Sequence, residues 1–138
     1  METYYIQHDI RVFGRQVVTF PLGVKEAFDE LVHVVPEGLN RSYYGLSHLD
    51  AGGNIIYYAA VEEYAIGEGK KLGYDYYTIG KGEYLSAAIK NWLSKTDCIK
   101  DVFHEMMQDK RFDNITPCVE WYKSDEEMVC MLKIGISE

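Results

Sequence analysis

The segment VKEAFDELV (residues 24–32) decides the fold, because it recurs as IKDVFHEMM (residues 99–107) at a constant shift of 75 residues. In the first copy the apolar residues have the spacing of one stripe along an α-helix: Val24, Ala27, Phe28 and Leu31. The second copy keeps an apolar residue at each of these positions. A repeat of this kind indicates two copies of one structural unit. We therefore expect two equivalent helices, at 24–35 and 98–108.

Strand-like segments surround both predicted helices in the same order. Runs rich in β-branched and aromatic residues predict strands at 4–20, 42–48, 55–61, 74–79, 83–93 and in two arms of 118–134. The first strand is expected to kink at Phe13-Gly14, because a glycine inside a strand marks a bulge or a bend. The pattern predicts an α+β fold, a duplicated βαββ unit with pseudo-two-fold symmetry. Its antiparallel sheet is expected to carry two helices on one face and a ligand cleft on the other.

The segment CVEWYKSDEEMVCMLKI (residues 118–134) predicts a β-hairpin with a polar turn. The expected register pairs Glu120 with Met131. Side chains alternate between the two faces of a strand, so Glu120 then shares a face with Tyr122 and Met131. A carboxylate among apolar and aromatic residues indicates a pocket acid. The alternative is a solvated acid paired with Lys133.

The length of the chain and the connector between the repeats predict the domain organisation. With 138 residues the chain is expected to form a single domain, 1–138, since domains of about 100–150 residues are the most common. Halves of about 1–62 and 74–138 are joined by 63–73, which is rich in Gly, Lys and Glu and lacks periodicity. We interpret this connector as a plain linker, because it does not satisfy the phosphate-loop pattern GxxxxGK[ST].

The composition argues against several classes of protein. A formal charge of −8 opposes direct DNA binding, which depends on a basic face. No secretory signal pattern and no run of about 18 apolar residues occurs, so we expect a cytoplasmic protein with no membrane partner. Four scattered histidines and three cysteines lack the spacing of a zinc site, and Cys118 and Cys130 are predicted on opposite hairpin faces. We therefore expect no disulfide, no metal and no cofactor.

Three short motifs follow one another in the order found in a known family. They are Tyr44-Gly45-Leu46 in a predicted strand, TIGKGEY at 78–84, and Glu120-x-Tyr122 near the C-terminal end. In this order they resemble the GyrI-like effector-binding domain, the ligand-binding module of multidrug-sensing transcription regulators of the Rob and BmrR type, which small gyrase-inhibitory proteins share. The resemblance covers essentially the whole chain. Gly80-Lys81 stands where the family usually has Pro-Ala.

This resemblance implies a site and a function. It implies that Glu120 lies at the centre of a pocket whose aromatic walls hold flat, lipophilic and often cationic compounds. The other expected ligand-binding residues are Tyr122, Tyr84, Trp92, Tyr44 and Tyr58. A buried carboxylate is costly unless it is paired, so a cationic ligand gains by pairing with it. The leading interpretation is a stand-alone small-molecule-binding protein without a DNA-binding segment of its own.

Two other functions stay open. Some proteins of similar fold hydrolyse electrophilic natural products, and Glu120 with Tyr84 or Tyr122 would then orient a water molecule and donate a proton. No standard catalytic signature such as GxSxG occurs, which favours binding over catalysis. The other function is a protein-binding inhibitor, since an acidic surface can contact a basic enzyme. The sequence predicts no particular oligomeric state.

Overall fold

Eight strands, three α-helices and two 3-10 turns make up the part of the chain that the computed structural model describes, residues 2–94, 98–113, 116–124 and 126–135. The strands are β1 (Glu2–Ile6), β2 (Ile10–Gln16), β3 (Tyr43–Leu49), β4 (Ile55–Glu62), β5 (Asp75–Ile79), β6 (Gly82–Lys90), β7 (Cys118–Tyr122) and β8 (Glu127–Lys133). The helices are α1 (Val24–Val34), α2 (Glu68–Leu72) and α3 (Ile99–Met106), and the 3-10 turns are Gly38–Asn40 and Trp92–Ser94. None of these helices is long and apolar enough to cross a membrane.

One antiparallel sheet contains all eight strands, in the order β1-β6-β8-β7-β3-β4-β2-β5. The equivalent strands of the two halves are β1 and β5, β2 and β6, β3 and β7, and β4 and β8. If each strand is replaced by its equivalent, the order read from one edge becomes the order read from the other edge, which confirms the predicted pseudo-two-fold symmetry. At the centre β3 pairs with β7, and Gly45 is opposite Glu120. Gly45 and Glu120 are also 75 residues apart in the sequence. They are therefore counterparts in the repeat, and the pseudo-two-fold axis passes between them.

The first strand of each half is broken in two, and its parts pair with different halves. β1 pairs with β6, whereas β2 pairs with β4 and β5. The chain therefore crosses from one edge region of the curled sheet to the other at residues 7–9, and it crosses back at residues 80–81. The prediction of a single strand over 4–20 with a kink at Phe13-Gly14 is wrong. The break lies at 7–9, because the pairing changes there from one half to the other.

Two of the helices cover one face of the sheet, as the repeat predicted. Phe28 from α1 packs on a core around Leu31, and Phe103 and Met106 from α3 belong to the equivalent core of the other half. Phe28 and Phe103 are 75 residues apart, as are Leu31 and Met106. The segment 83–93, predicted as a strand, forms most of β6 and part of the 3-10 turn that follows.

The opposite face of the sheet is concave and carries a cleft. A third core packs on this face and draws on both halves, from Ile6 and Val12 to Met131. Beside it lies an open cleft of about 330 Å³. The described structure thus has two helices on one face and a cleft on the other, which confirms the predicted fold class.

The connector at 63–73 contains α2, which the sequence did not predict. Glu68 at the start of α2 forms an ion pair with the buried Arg41, with 2.7 Å between Oε1 and Nη2. Gly69 lies directly against the ring of Phe13, so closely that a Cβ there would be 2.5 Å from the ring. These contacts join the connector to the first half. Composition alone does not predict them, because they form between segments distant in sequence.

The C-terminal hairpin forms as predicted, but its register differs by one residue. Glu120 is opposite Cys130, not Met131. The reason is the connection between the arms: Tyr122 pairs with Met128, so five residues separate the paired ends rather than the four that the prediction assumed. A shift of one residue turns every side chain of one strand to the other face of the sheet.

This shift also changes the placement of the cysteines. Cys118 and Cys130 lie on the same face as Glu120, the face that the helices cover, and the prediction of opposite faces is wrong. Both are buried free thiols. Burial raises the pKa of the Cys118 thiol to about 11 and that of the Cys130 thiol to about 12. They are therefore protonated, apolar members of the core at neutral pH.

We predict that Gly14→Ala destabilises the protein while Gly80→Ala does not. A Cβ at Gly14 would lie 1.8 Å from the carbonyl oxygen of Ala59, which forces β2 away from β4. The expected loss in the free energy of unfolding is at least about 1–3 kcal/mol, the scale of overpacking. A Cβ at Gly80 would meet no atom within 4 Å, so this variant is the control. Denaturant titration of both variants tests the prediction, and equal midpoints would contradict it.

Candidate functional site

Glu120 lies at the centre of the sheet, where the two halves of the molecule meet. Its backbone pairs with that of Gly45 across β7 and β3. A Cβ at Gly45 would lie 2.6 Å from Oε1 of Glu120 and 2.2 Å from the hydroxyl oxygen of Tyr57. The absence of a side chain at Gly45 therefore leaves the space that the carboxylate and the phenol occupy.

Two tyrosines hold the carboxylate of Glu120. The hydroxyl of Tyr57 on β4 donates a hydrogen bond to Oε1 at 3.0 Å, and the hydroxyl of Tyr122 on β7 donates a second one to the same oxygen. The two hydroxyl oxygens are themselves 3.1 Å apart. The other oxygen, Oε2, accepts no hydrogen bond from the described residues. One oxygen of the acid is thus held in place by both phenols.

The charge of Glu120 has no counter-ion within the part of the chain that the structure describes. Burial raises the pKa of Glu120, and the hydrogen bonds from Tyr122 and Tyr57 lower it by less. Burial beside this carboxylate also raises the pKa of Tyr57 and of Tyr122 well above the ordinary value. Both phenols therefore remain protonated donors at neutral pH. The site is therefore a half-buried acid with no positive partner among the described residues.

Aromatic rings from separate elements surround this acid. Phe28 from α1 meets the ring of Tyr122 edge-on, with centroids 5.3 Å apart, and Trp92 meets the same ring at 5.0 Å. Phe20, which follows β2, stacks on Tyr57 at 4.8 Å. Phe20, Phe28 and Trp92 are each partly exposed. They form an aromatic border around the two phenols that hold the carboxylate.

The structure brings together three of the predicted site residues and separates the other three from them. Glu120, Tyr122 and Trp92 lie on the helix-covered face. The remaining residues lie on the concave face: Tyr44, Tyr58 and Tyr84. The sheet itself stands between the two groups, because neighbouring residues of a strand point to opposite faces. Tyr84 is fully buried and its hydroxyl donates to the carbonyl of Gly80, so it is not in contact with Glu120.

Sequence reasoning missed Tyr57 and Gly45, although a signal for both was present. The repeat makes Gly45 the counterpart of Glu120, which implies that both lie at the symmetry axis. Alternation along the β3–β4 hairpin then puts Tyr57, not Tyr58, on the face of Gly45. Combining the repeat with strand parity would therefore have selected Tyr57.

Comparison with solved structures relates the fold to known proteins, whereas no protein-family model and no curated protein sequence matches the chain. SAV2435 bound to tetraphenylphosphonium has a TM-score of 0.69 at 13% identity, covering 96% of this chain and 92% of that chain. A provisionally named transcription regulation protein from Staphylococcus aureus MU50 has a TM-score of 0.66 at 14% identity, covering 98% and 97%. A hydrolase from Listeria innocua has a TM-score of 0.58 at 12% identity, covering 97% and 91%. At these identities the likeness shows a shared fold.

We predict that Glu120→Gln stabilises the protein at neutral pH, by an amount of the order of 1 kcal/mol, because an unpaired buried charge is removed while the shape is kept. Glu120 has a higher pKa in the folded than in the unfolded state. Between these two pKa values the folded state binds more protons, so the free energy of unfolding falls as the pH rises through that window. The variant should lack this fall.

Chemical denaturation at a series of pH values measures the effect. The matched control is Glu26→Gln, which removes the same charge from an exposed position of α1. A neutral-pH loss of stability in Glu120→Gln, with no change in Glu26→Gln, would contradict the prediction.

Proposed function

We propose that this protein binds lipophilic organic cations at Glu120, on the helix-covered face of the sheet. The observation that carries the proposal is the carboxylate of Glu120, which two phenols hold by one oxygen and which pairs with no cation of the described chain. A cationic ligand supplies the missing charge. The aromatic border around the acid supplies apolar and π surfaces for the rest of the ligand.

Physical chemistry favours a cation with an aromatic body over other ligands. A carboxylate that burial has partly stripped of water regains stability when a positive charge approaches it. Each aromatic ring that faces the cation adds about 0.5–2 kcal/mol, more where water is excluded. Binding of an anionic ligand is disfavoured, because the ligand would bring a second negative charge close to an unpaired acid.

Two independent lines support the proposal. The Glu120-x-Tyr122 motif resembles that of GyrI-like effector-binding domains, in which the family pattern implies a pocket acid. A protein of the same fold, SAV2435, has been solved with tetraphenylphosphonium, which is a lipophilic cation. Here the motif's acid and phenol are hydrogen-bonded to each other.

Calorimetric titration with tetraphenylphosphonium tests the proposal. We expect Glu120→Gln to weaken binding by about 1–3 kcal/mol, the scale of a lost charge-assisted contact. Glu26→Gln should bind as the wild type does, because it changes the net charge equally at an exposed position. Tetraphenylborate, which has nearly the same shape and the opposite charge, should not bind. If Glu120→Gln and the wild type bind equally well, Glu120 is not the ligand's counter-ion.

A second candidate function is hydrolysis at the same acid, and it is favoured by the pair of phenols on Glu120. A carboxylate with a raised pKa can accept a proton from water near neutral pH, and a protonated phenol can donate one. The Listeria innocua hydrolase shows that the fold can accommodate such an activity in another protein. Product analysis after incubation with electrophilic esters and lactones distinguishes the two functions. A hydrolase should lose turnover in Glu120→Gln while it still binds the neutral substrate, and a binding protein should release no product.

A further inference from the structure

The concave face of the sheet carries a cleft that the Glu120 site does not use. Its volume is about 330 Å³, at the lower end of the range of about 300–1,000 Å³ for ligand pockets. The residues that matter for its chemistry are Tyr4, Asp9, Tyr44, Glu62, Trp121 and Met131. Tyr44 and Trp121 are direct cross-strand partners, next to the pair formed by Gly45 and Glu120. Since neighbouring residues alternate, this cleft and the Glu120 site lie back to back across the sheet.

Aromatic side chains form two walls of the cleft. The rings of Tyr4 and Trp121 lie 5.9 Å apart between centroids, inclined by 44°. Tyr44 is only 4% exposed and forms the floor. Burial and the nearby charge of Glu62 raise the pKa of Tyr44, so its hydroxyl is a neutral donor at neutral pH. Rings arranged in this way offer π faces to a cation and apolar surface to an organic group.

A single half-buried acid, Glu62, faces the cleft from the end of β4. Its carboxylate makes no hydrogen bond and no ion pair with the described residues, although burial raises its pKa. The charge of the neighbouring Arg41 lowers the pKa of Glu62 by less than burial raises it. Arg41 makes no ion pair with the Glu62 carboxylate, because its guanidinium is bound in a bidentate way by Glu68 and reaches only the backbone carbonyl of Glu62. An unpaired acid of this kind attracts a positive charge.

The other charged groups around the cleft favour a cation as well. Asp9 lies at the rim and accepts a hydrogen bond from the backbone N–H of Lys81. Among the described residues that line the cleft there is no Lys and no Arg, and the one imidazole belongs to the exposed His8. Lys123 stands over Trp121 at 5.1 Å but belongs to the lining of the neighbouring cleft. The lining therefore combines negative charge with aromatic surface.

We propose that this cleft is a second small-molecule site, which takes a compact organic cation, a quaternary or protonated amine that bears one aromatic or apolar group. Glu62 pairs with the ammonium, and Tyr4, Tyr44 and Trp121 enclose the organic group. A compact cation matches the volume of about 330 Å³, which is at the lower end of the range for ligand pockets. The proposal goes beyond the function proposed for Glu120, because it depends on different residues on the other face of the sheet.

The two tryptophans of the chain allow each site to be observed separately. Trp92 borders Glu120 and Trp121 lines the concave cleft. Protein labelled with 5-fluorotryptophan should give two ¹⁹F resonances, and Trp92→Phe assigns the one that remains to Trp121. Benzyltrimethylammonium is the probe, and phenylmethanesulfonate, of similar size and opposite charge, is its control.

We expect benzyltrimethylammonium, but not the sulfonate, to shift the Trp121 resonance in a saturable way. Glu62→Gln should weaken the affinity observed at Trp121 at least tenfold, whereas Glu120→Gln should change it less than twofold. Tyr4→Ala, at a residue that is 43% exposed, removes one wall without touching the core and should weaken the same affinity several-fold. The proposal is overturned if the Trp121 resonance does not respond, if Glu62→Gln binds as well as the wild type, or if Glu120→Gln abolishes the response. A response at Trp92 alone would leave the function proposed for Glu120 standing and reject the second site.

Discussion

The pairing of Gly45 with Glu120 is the constraint on which the rest of this structure depends. A duplicated βαββ unit that joins its halves through one pair of antiparallel strands brings equivalent residues face to face at the symmetry axis. Only one of two such residues can project a long side chain into the shared space. Here the glycine has none, and the carboxylate of Glu120 lies over it with the hydroxyl of Tyr57. The symmetry of the backbone thus creates a site that the side chains make asymmetric.

The two helix-side cores meet at this point, and each contributes a phenol to the acid. Tyr57 belongs to the core that α1 covers, and Tyr122 packs on the core that α3 covers. Their hydrogen bonds to one carboxylate oxygen connect the two halves through a polar group at the centre of an otherwise apolar layer. Such a group destabilises the fold slightly, since burial opposes its charge.

The sheet acts as a partition between two chemically similar surfaces. Alternation along β7 turns Glu120 and Tyr122 to the helix-covered face and Trp121 to the concave face. Three consecutive residues therefore contribute side chains to both faces of the sheet. Each face then combines aromatic rings with an acid that forms no ion pair with the described residues, Glu120 on one side and Glu62 on the other. The formal charge of −8 on the whole chain adds to the negative potential at both surfaces.

The sequence by itself determined the repeat, the two equivalent helices, most of the strand segments and the identity of Glu120 as an acid in an apolar strand, because periodicity within a segment is a local property. Only the tertiary structure decided which side chains meet. The hairpin register, one residue from the expected one, depends on the length of the connection after Tyr122. The break at 7–9 depends on pairing between strands of different halves. Tyr122, which the sequence suggested, and Tyr57, which it did not, donate hydrogen bonds to Glu120, whereas Tyr84 lies on the other face. Because side chains alternate between the two faces of a strand, a shift of one residue in the pairing changes which side chains meet. Contacts between residues distant in sequence determine that pairing.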